Sequence, residues 1–187
     1  MIKITQYIKK IQNSESLDSF YNNLDELNYF LSTQYPQIQC KTGCNRCCKF
    51  YGSPEMFDIE WDNIKSYIEK SFTEKDFNRL RKKLNDGFDY YQNNISKSKP
   101  ESFFECPFIY KGQCSIYQKR PFICRVFGYS KVKSNPLTCN EEIQRFSYNL
   151  PYLPDKSELE SYLFNREKSP KIRTIIYYLK SYFNINL

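Results

Sequence analysis

Four thiols fall within nine residues in the run Cys40-Lys-Thr-Gly-Cys44-Asn-Arg-Cys47-Cys48, and the other four cysteines stand at positions 106, 114, 124 and 139. The 187 residues contain no histidine. Any soft-metal site must therefore be built essentially from thiolates, which favours zinc or iron–sulfur chemistry over imidazole-based catalysis. The two-residue spacer between Cys44 and Cys47 lets the chain turn so that both sulfurs face one ion while N–H groups in the turn donate to them. Cys40, one loop earlier, can complete a third corner. Cys48 follows Cys47 directly, and in an extended segment neighbouring side chains point to opposite sides. It is expected to serve a second metal, to bridge two metals, or to stay unligated. Cys106, Cys114, Cys124 and Cys139 suffice for another four-thiolate site or for corners shared with the first, and spacing leaves the pairing open. All eight cysteines are candidate metal ligands.

The formal net charge of +7 counts every cysteine as a neutral thiol, whereas a metal held by four thiolates is itself anionic. Lys41, Arg46, Lys49, Lys111, Lys119, Arg120 and Arg125 all lie close to cysteines in sequence, so the basic excess is expected to offset the site's own charge. No long Lys/Arg stripe or recognition-module motif accompanies it, which weighs against nucleic-acid binding. The N-terminal residues lack an apolar run followed by a small-residue cleavage site, and no stretch approaches a membrane span. The expectation is a cytoplasmic protein with no membrane partner, where thiols stay reduced and clustered cysteines signal metal or redox chemistry. A secreted four-disulfide framework is disfavoured, because a chain of this length needs no stapling and the adjacent Cys47-Cys48 pair is awkward for ordinary bridges.

Helical periodicity organises the rest. Over residues 16–31 the apolar side chains Leu17, Phe20, Tyr21, Leu24, Leu27, Phe30 and Leu31 recur at helical spacing, with Ser14 or Ser16 as cap and an end before Pro36. Ser53-Pro54 reads as a cap and first-turn proline for a helix whose Phe57, Trp61, Ile64 and Ile68 share a face. Thr73 with Asp76 resembles a capping arrangement for a third helix, striped by Phe77, Leu80, Leu84, Phe88 and Tyr91 through about residue 93. The polar residues 96–102, with Pro100 among them, predict a loop. Cys106-Pro-Phe-Ile-Tyr110 and Gln113-Cys-Ser-Ile-Tyr117 flank Lys111-Gly112, which predicts a hairpin with Cys106 and Cys114 near its ends. Arg120-Pro121 opens a helical turn that carries Cys124. Beyond Cys139, helices are expected near 140–148, at 156–166 opened by Ser157 with Glu160, and at 170–183 opened by Ser169-Pro170. The fold expected is mostly α, with helices framing an irregular cysteine-rich metal-binding lobe that contains one small β-hairpin. The length fits a single domain over residues 1–187, with a cysteine module at about 40–140 between helical arms. Aromatic residues make up 18% of the chain and alanine is absent, so the interior must lean on Phe and Tyr.

The run C-x3-C-x2-C-C at Cys40 to Cys48, followed by Cys106-Pro107-Phe108, Cys114-Ser115-Ile116-Tyr117, Arg120-Pro121, Cys124-Arg125 and Cys139, resembles the YkgJ-type cysteine-cluster family, a zinc- or iron-chelating domain. All eight cysteines find counterparts in that pattern; the arms on either side do not. The resemblance implies a metal-chelating module of the kind described as iron–sulfur protein. It also brings in the flagellin lysine methylases, similar in the cysteine region and associated with a four-iron cluster and S-adenosylmethionine, although those enzymes are considerably larger than this chain. Cys40, Cys44 and Cys47 also satisfy C-x3-C-x2-C, the spacing of radical S-adenosylmethionine enzymes. Against that stand Arg46, where an aromatic residue is usual, and the want of the repeated strands that a β/α barrel requires.

Arg120 and Arg125 are candidates for cofactor binding, since a guanidinium donates in a planar fork to sulfur or to an anionic ligand; their plainer role is to neutralise the site or a helix end. Tyr110 and Tyr117 are potential proton donors, with core packing as the alternative. Glu105 is the carboxylate nearest a cysteine. Three functional classes follow: an iron–sulfur protein of the four-iron type with a redox role, a zinc-stabilised binding module, and an S-adenosylmethionine-dependent enzyme acting on a protein side chain. The family resemblance favours iron–sulfur over zinc. A protein partner or substrate is allowed by each class and identified by none.

Overall fold

The Ser16 hydroxyl accepts the Ser19 N–H at 3.1 Å, and the Ser19 hydroxyl accepts the Ser16 N–H at 3.0 Å. This reciprocal cap satisfies two donors that a helix start would otherwise leave open, and it launches the helix Leu17–Gln34 (α2). The structure is a computed structural model that describes residues 2–36, 43–50, 52–94, 105–133, 135–138, 153–166 and 169–185. The chain falls into two compact units, Met1–Thr42 with Pro121–Pro170, and Gly43–Arg120 with Lys171–Leu187.

In the first unit, α1 (Ile2–Gln12) presents Ile4, Ile8 and Ile11 to the interior. That helix was not among those expected, although the isoleucines recur at helical spacing. Against α2, whose Phe20, Tyr21, Leu24, Leu27 and Leu31 are buried, stand α6 (Phe122–Val126) and α7 (Lys156–Arg166). Phe20 is the hub, with its ring 4.5 Å from that of Tyr162 and 5.9 Å from that of Phe122. Each such side chain taken out of water contributes about 1.5–3 kcal/mol. The short antiparallel pair β4 (Lys131–Val132) and β5 (Asn135–Pro136) completes this unit. At α7 the cap is Asp155 and not Ser157: its carboxylate accepts the Ser157 N–H at 3.0 Å, while Glu158 reaches back to the Asp155 N–H at 2.8 Å. The helix expected near 140–148 lies outside the described residues.

The second unit comprises α3 (Arg46–Phe50), β1 (Glu55–Phe57), α4 (Asp58–Ser71), α5 (Glu74–Asn94), the hairpin strands β2 (Ile109–Tyr110) and β3 (Gln113–Cys114), a 3-10 turn at Tyr117–Lys119, β6 (Ile172–Thr174) and α8 (Ile175–Phe183). Its core joins Met56, Ile64, Ile68, Leu80, Leu84, Phe108, Ile116 and Leu179. Trp61 stacks on Tyr178 with ring centres 5.3 Å apart. Thr73 and Asp76 cap α5 as the sequence predicts, the carboxylate accepting the Thr73 N–H at 3.0 Å and hydroxyl at 2.6 Å. Two expected helix starts are corrected together. Ser53-Pro54 and Ser169-Pro170 do not open helices, because residues Glu55–Phe57 pair antiparallel with Ile172–Thr174, Glu55 opposite Thr174. This pairing buries Met56 and Phe57, and each helix begins where its strand ends. Phe57 caps α4 with its N–H on Glu60, and the Thr174 hydroxyl caps α8 by accepting the Tyr177 N–H.

The fold is mostly α, with an irregular cysteine-rich region and, among the described residues, three small antiparallel strand pairs where one hairpin was expected. Among the same residues no helix is long and apolar enough to cross a membrane.

Candidate metal centre

The hairpin turn requires left-handed backbone at both central residues, and Lys111 (φ 50°) and Gly112 (φ 77°) adopt it. This is the primed turn that matches the right-handed twist of the flanking strands. It sets Ile109 opposite Cys114 and Tyr110 opposite Gln113. At the base of the hairpin the Ile109 N–H returns to the Cys106 carbonyl at 3.0 Å, and the Ser115 N–H to the Phe108 carbonyl at 2.8 Å. The sulfur of Cys106 accepts the N–H of Phe108, and that of Cys114 accepts the N–H of Ile116. Both hairpin cysteines thus take a backbone donor from the residue two positions on, an arrangement that stabilises sulfur as thiolate.

Two hydrogen bonds tie the first cysteine segment to this hairpin. The Cys106 N–H donates to the Cys48 carbonyl at 2.8 Å, and the Asn45 side-chain amide donates to the Gly112 carbonyl at 2.8 Å. Asn45 also anchors α3, since its own carbonyl accepts the Lys49 N–H at 3.0 Å. The extended backbone expected for Cys47 and Cys48 is corrected here: both lie within α3, where successive side chains are about 100° apart and not on opposite faces.

Electrostatics link four of these sulfurs. Burial pushes the Cys106 thiol up to about 12; the Phe108 N–H opposes this, Cys114 and Cys47 add to it, and the Lys83 ammonium works against it. Cys114 is raised by burial, opposed by the Ile116 N–H and by Arg120, with Cys47 adding to the rise. Cys47 is raised first by its hydrogen bond with Cys48 and then by burial. Like charges that discourage one another's ionisation fit a cation, because a coordinating thiol is deprotonated outright by the metal it binds. Among the described residues no three cysteine, aspartate or glutamate side chains already converge closely enough to hold a metal ion.

Cys44 is exposed, at the loop before α3. Cys124 lies on α6 of the first unit and is half-buried. Cys40 and Cys139 lie outside the described residues. Arg120 lies over the Tyr117 ring at 4.0 Å and donates to the Tyr117 carbonyl at 2.9 Å, so Tyr117 is packed under a cation. Tyr110 is exposed and is covered by Arg79, 3.9 Å from its ring centre; it takes no place in the core. Arg125 is buried in the first unit, paired with Asp25 at 2.6 Å and stacked 4.1 Å over Tyr21. Glu105 accepts from Lys83 at 2.7 Å.

Sequence reasoning missed Lys83 and Asn45. Asn45 stands in the spacer between two cysteines, where a side-chain amide that caps or bridges was a readable signal. Lys83 carried none, since its partners Glu105 and Ile109 are 22 and 26 residues away.

No curated protein and no solved structure is significantly similar to the chain. The family model CxxCxxCC, described as "Putative zinc- or iron-chelating domain", matches residues 39–142, a segment that contains all eight cysteines, the α3–hairpin junction and more than half of the chain. The chain belongs to the CxxCxxCC family of zinc- or iron-chelating domains.

Proposed function

We propose that the chain holds an iron–sulfur cluster of the four-iron type through thiolates of both cysteine segments and works as a redox protein. The observation that carries the reading is the bond from the Cys106 N–H to the Cys48 carbonyl, which brings the segments into one unit with Cys47, Cys106 and Cys114 within electrostatic reach of one another. Cys47, Cys48, Cys106 and Cys114 are the proposed protein ligands there, with Cys44 beside them. A thiolate set of this kind suits zinc as well as iron–sulfur; the resemblance to iron–sulfur members of the family favours the cluster. Backbone donors to sulfur and flanking cations are the levers by which a protein adjusts such a group. When bound, the cluster supplies one-electron chemistry. This chain's residues bury it, donate to its sulfurs and balance its charge.

The test is metal content in Cys47→Ser and Cys106→Ser, purified without oxygen beside the parent chain. The expected result is loss of most bound iron in both. Unchanged iron in both would remove these segments from the site.

A further inference from the structure

Lys83, on α5, reaches the turn that carries Cys106 from outside. Its ammonium donates to the Glu105 carboxylate at 2.7 Å and to the Ile109 carbonyl at 2.5 Å. It thereby grips the residue just before Cys106 and the residue whose N–H closes the turn behind it. The side chain is only 28% exposed, so the charge is held at a fixed place with part of its hydration removed. Arg120 stands in the corresponding place for the other hairpin cysteine, fixed on Tyr117 and acting on Cys114. Each buried or half-buried hairpin sulfur therefore has its own cation, brought in by a separate element of the second unit.

We propose that Lys83 is a positioning residue of the thiolate site, whose fixed positive charge beside Cys106 sets the reduction potential of the cluster. The inference rests on the iron–sulfur reading above. In reduction, a donor such as dithionite supplies one electron, which takes a four-iron cluster and its four thiolates from a net charge of minus two to minus three, with no bond made or broken and no proton taken up. A cation at fixed distance favours the more negative state, because net charge and burial are among the factors that set such potentials. Glu105 holds Lys83 in place and partly offsets it.

The experiment is a dithionite titration of the full chain, with iron and sulfide measured first, in the parent and in Lys83→Met, Lys83→Gln, Lys83→Arg and Glu105→Gln. A neutral residue at 83 is expected to make reduction roughly tenfold harder, a shift of about 59 mV to more negative potential for one electron. Lys83→Arg is expected to restore the parent value, and Glu105→Gln, which leaves the ammonium on the Ile109 carbonyl, to shift the potential upward or not at all. Should both neutral variants fail to load while Lys83→Arg loads, the need for the charge is supported. A loaded Lys83→Met or Lys83→Gln protein at the parent's potential overturns the inference alone. A parent protein with zinc and no sulfide overturns the iron–sulfur reading and this inference with it.

Discussion

The backbone N–H of Cys106 donates to the carbonyl of Cys48 at 2.8 Å. Cys48 ends the adjacent cysteine pair of the first segment, and Cys106 opens the second, so this bond joins two stretches that are distant in sequence. Because the chain buries Cys106 and half-buries Cys47, Cys48 and Cys114, removing a bound metal would leave several thiols crowded in a poorly hydrated place. Ligand bound only to the folded state stabilises it, by about 2.7 kcal/mol at a hundredfold excess over Kd. Stripping the metal with a chelator is expected to lower the melting midpoint by roughly 5–10 °C for a chain of this size, and calorimetry before and after chelation measures it.

Gly112 occupies a backbone conformation that side chains resist, and an added Cβ would come to 3.4 Å from the Asn45 amide nitrogen. Gly112→Ala is expected to cost about 1–2 kcal/mol from the left-handed backbone. Part of the loss should appear as weaker metal retention, since the same carbonyl anchors Asn45. Chemical denaturation combined with metal analysis reads both effects.

Arg125 is buried while its partner Asp25 is 44% exposed, so the pair lies between the surface and interior cases. Asp25→Asn would leave a buried guanidinium short of its counter-charge, with a loss of about 1–3 kcal/mol in stability. Metal content should stay at the parent level, because Asp25, Tyr21 and Asn28, which Arg125 contacts, all lie within the first unit. Denaturation of the variant checks the first statement and iron analysis the second.

Asp76 provides a pH signature unrelated to the cysteines. The Thr73 hydroxyl holds its carboxyl below the usual aspartate range, with the Thr73 N–H and the Arg79 guanidinium adding to the effect. A depressed carboxyl contributes stability above the unfolded value of about 3.9 and loses that contribution as pH falls through the lower folded value. The stability gap between the parent and Asp76→Asn should therefore be constant from neutral pH down to about 5 and close progressively below 4. A gap that widened on acidification would contradict the assignment. Melting curves across that pH range decide it.

The features legible in the sequence share one property: their signals are local. Ser16, Thr73 with Asp76, and Lys111-Gly112 each fix an element through bonds spanning three residues or fewer; the last two form as the spacing predicts, and Ser16 is one of the two caps that the spacing allows for its helix. The pairing of Glu55–Phe57 with Ile172–Thr174 is the opposite case. Each strand is three residues long, too short to show alternation, and each runs straight into a helix whose stripe absorbed it, so both helix starts were read several residues early. The helix at Arg46–Phe50 is likewise too short to display a period, which is why Cys47 and Cys48 read as extended. The cysteines named themselves as ligand candidates. Their grouping did not, because it depends on the Cys48–Cys106 and Asn45–Gly112 bonds, and Lys83 became visible only once α5 lay beside the hairpin.

Thiolates of both segments are proposed to hold an iron–sulfur cluster. Iron and acid-labile sulfide analysis, with an absorption spectrum, on protein purified without oxygen tests it most directly. Iron and sulfide in equal amounts and a broad band near ~400 nm are expected; one or two equivalents of zinc, no sulfide and no colour would contradict the iron–sulfur proposal.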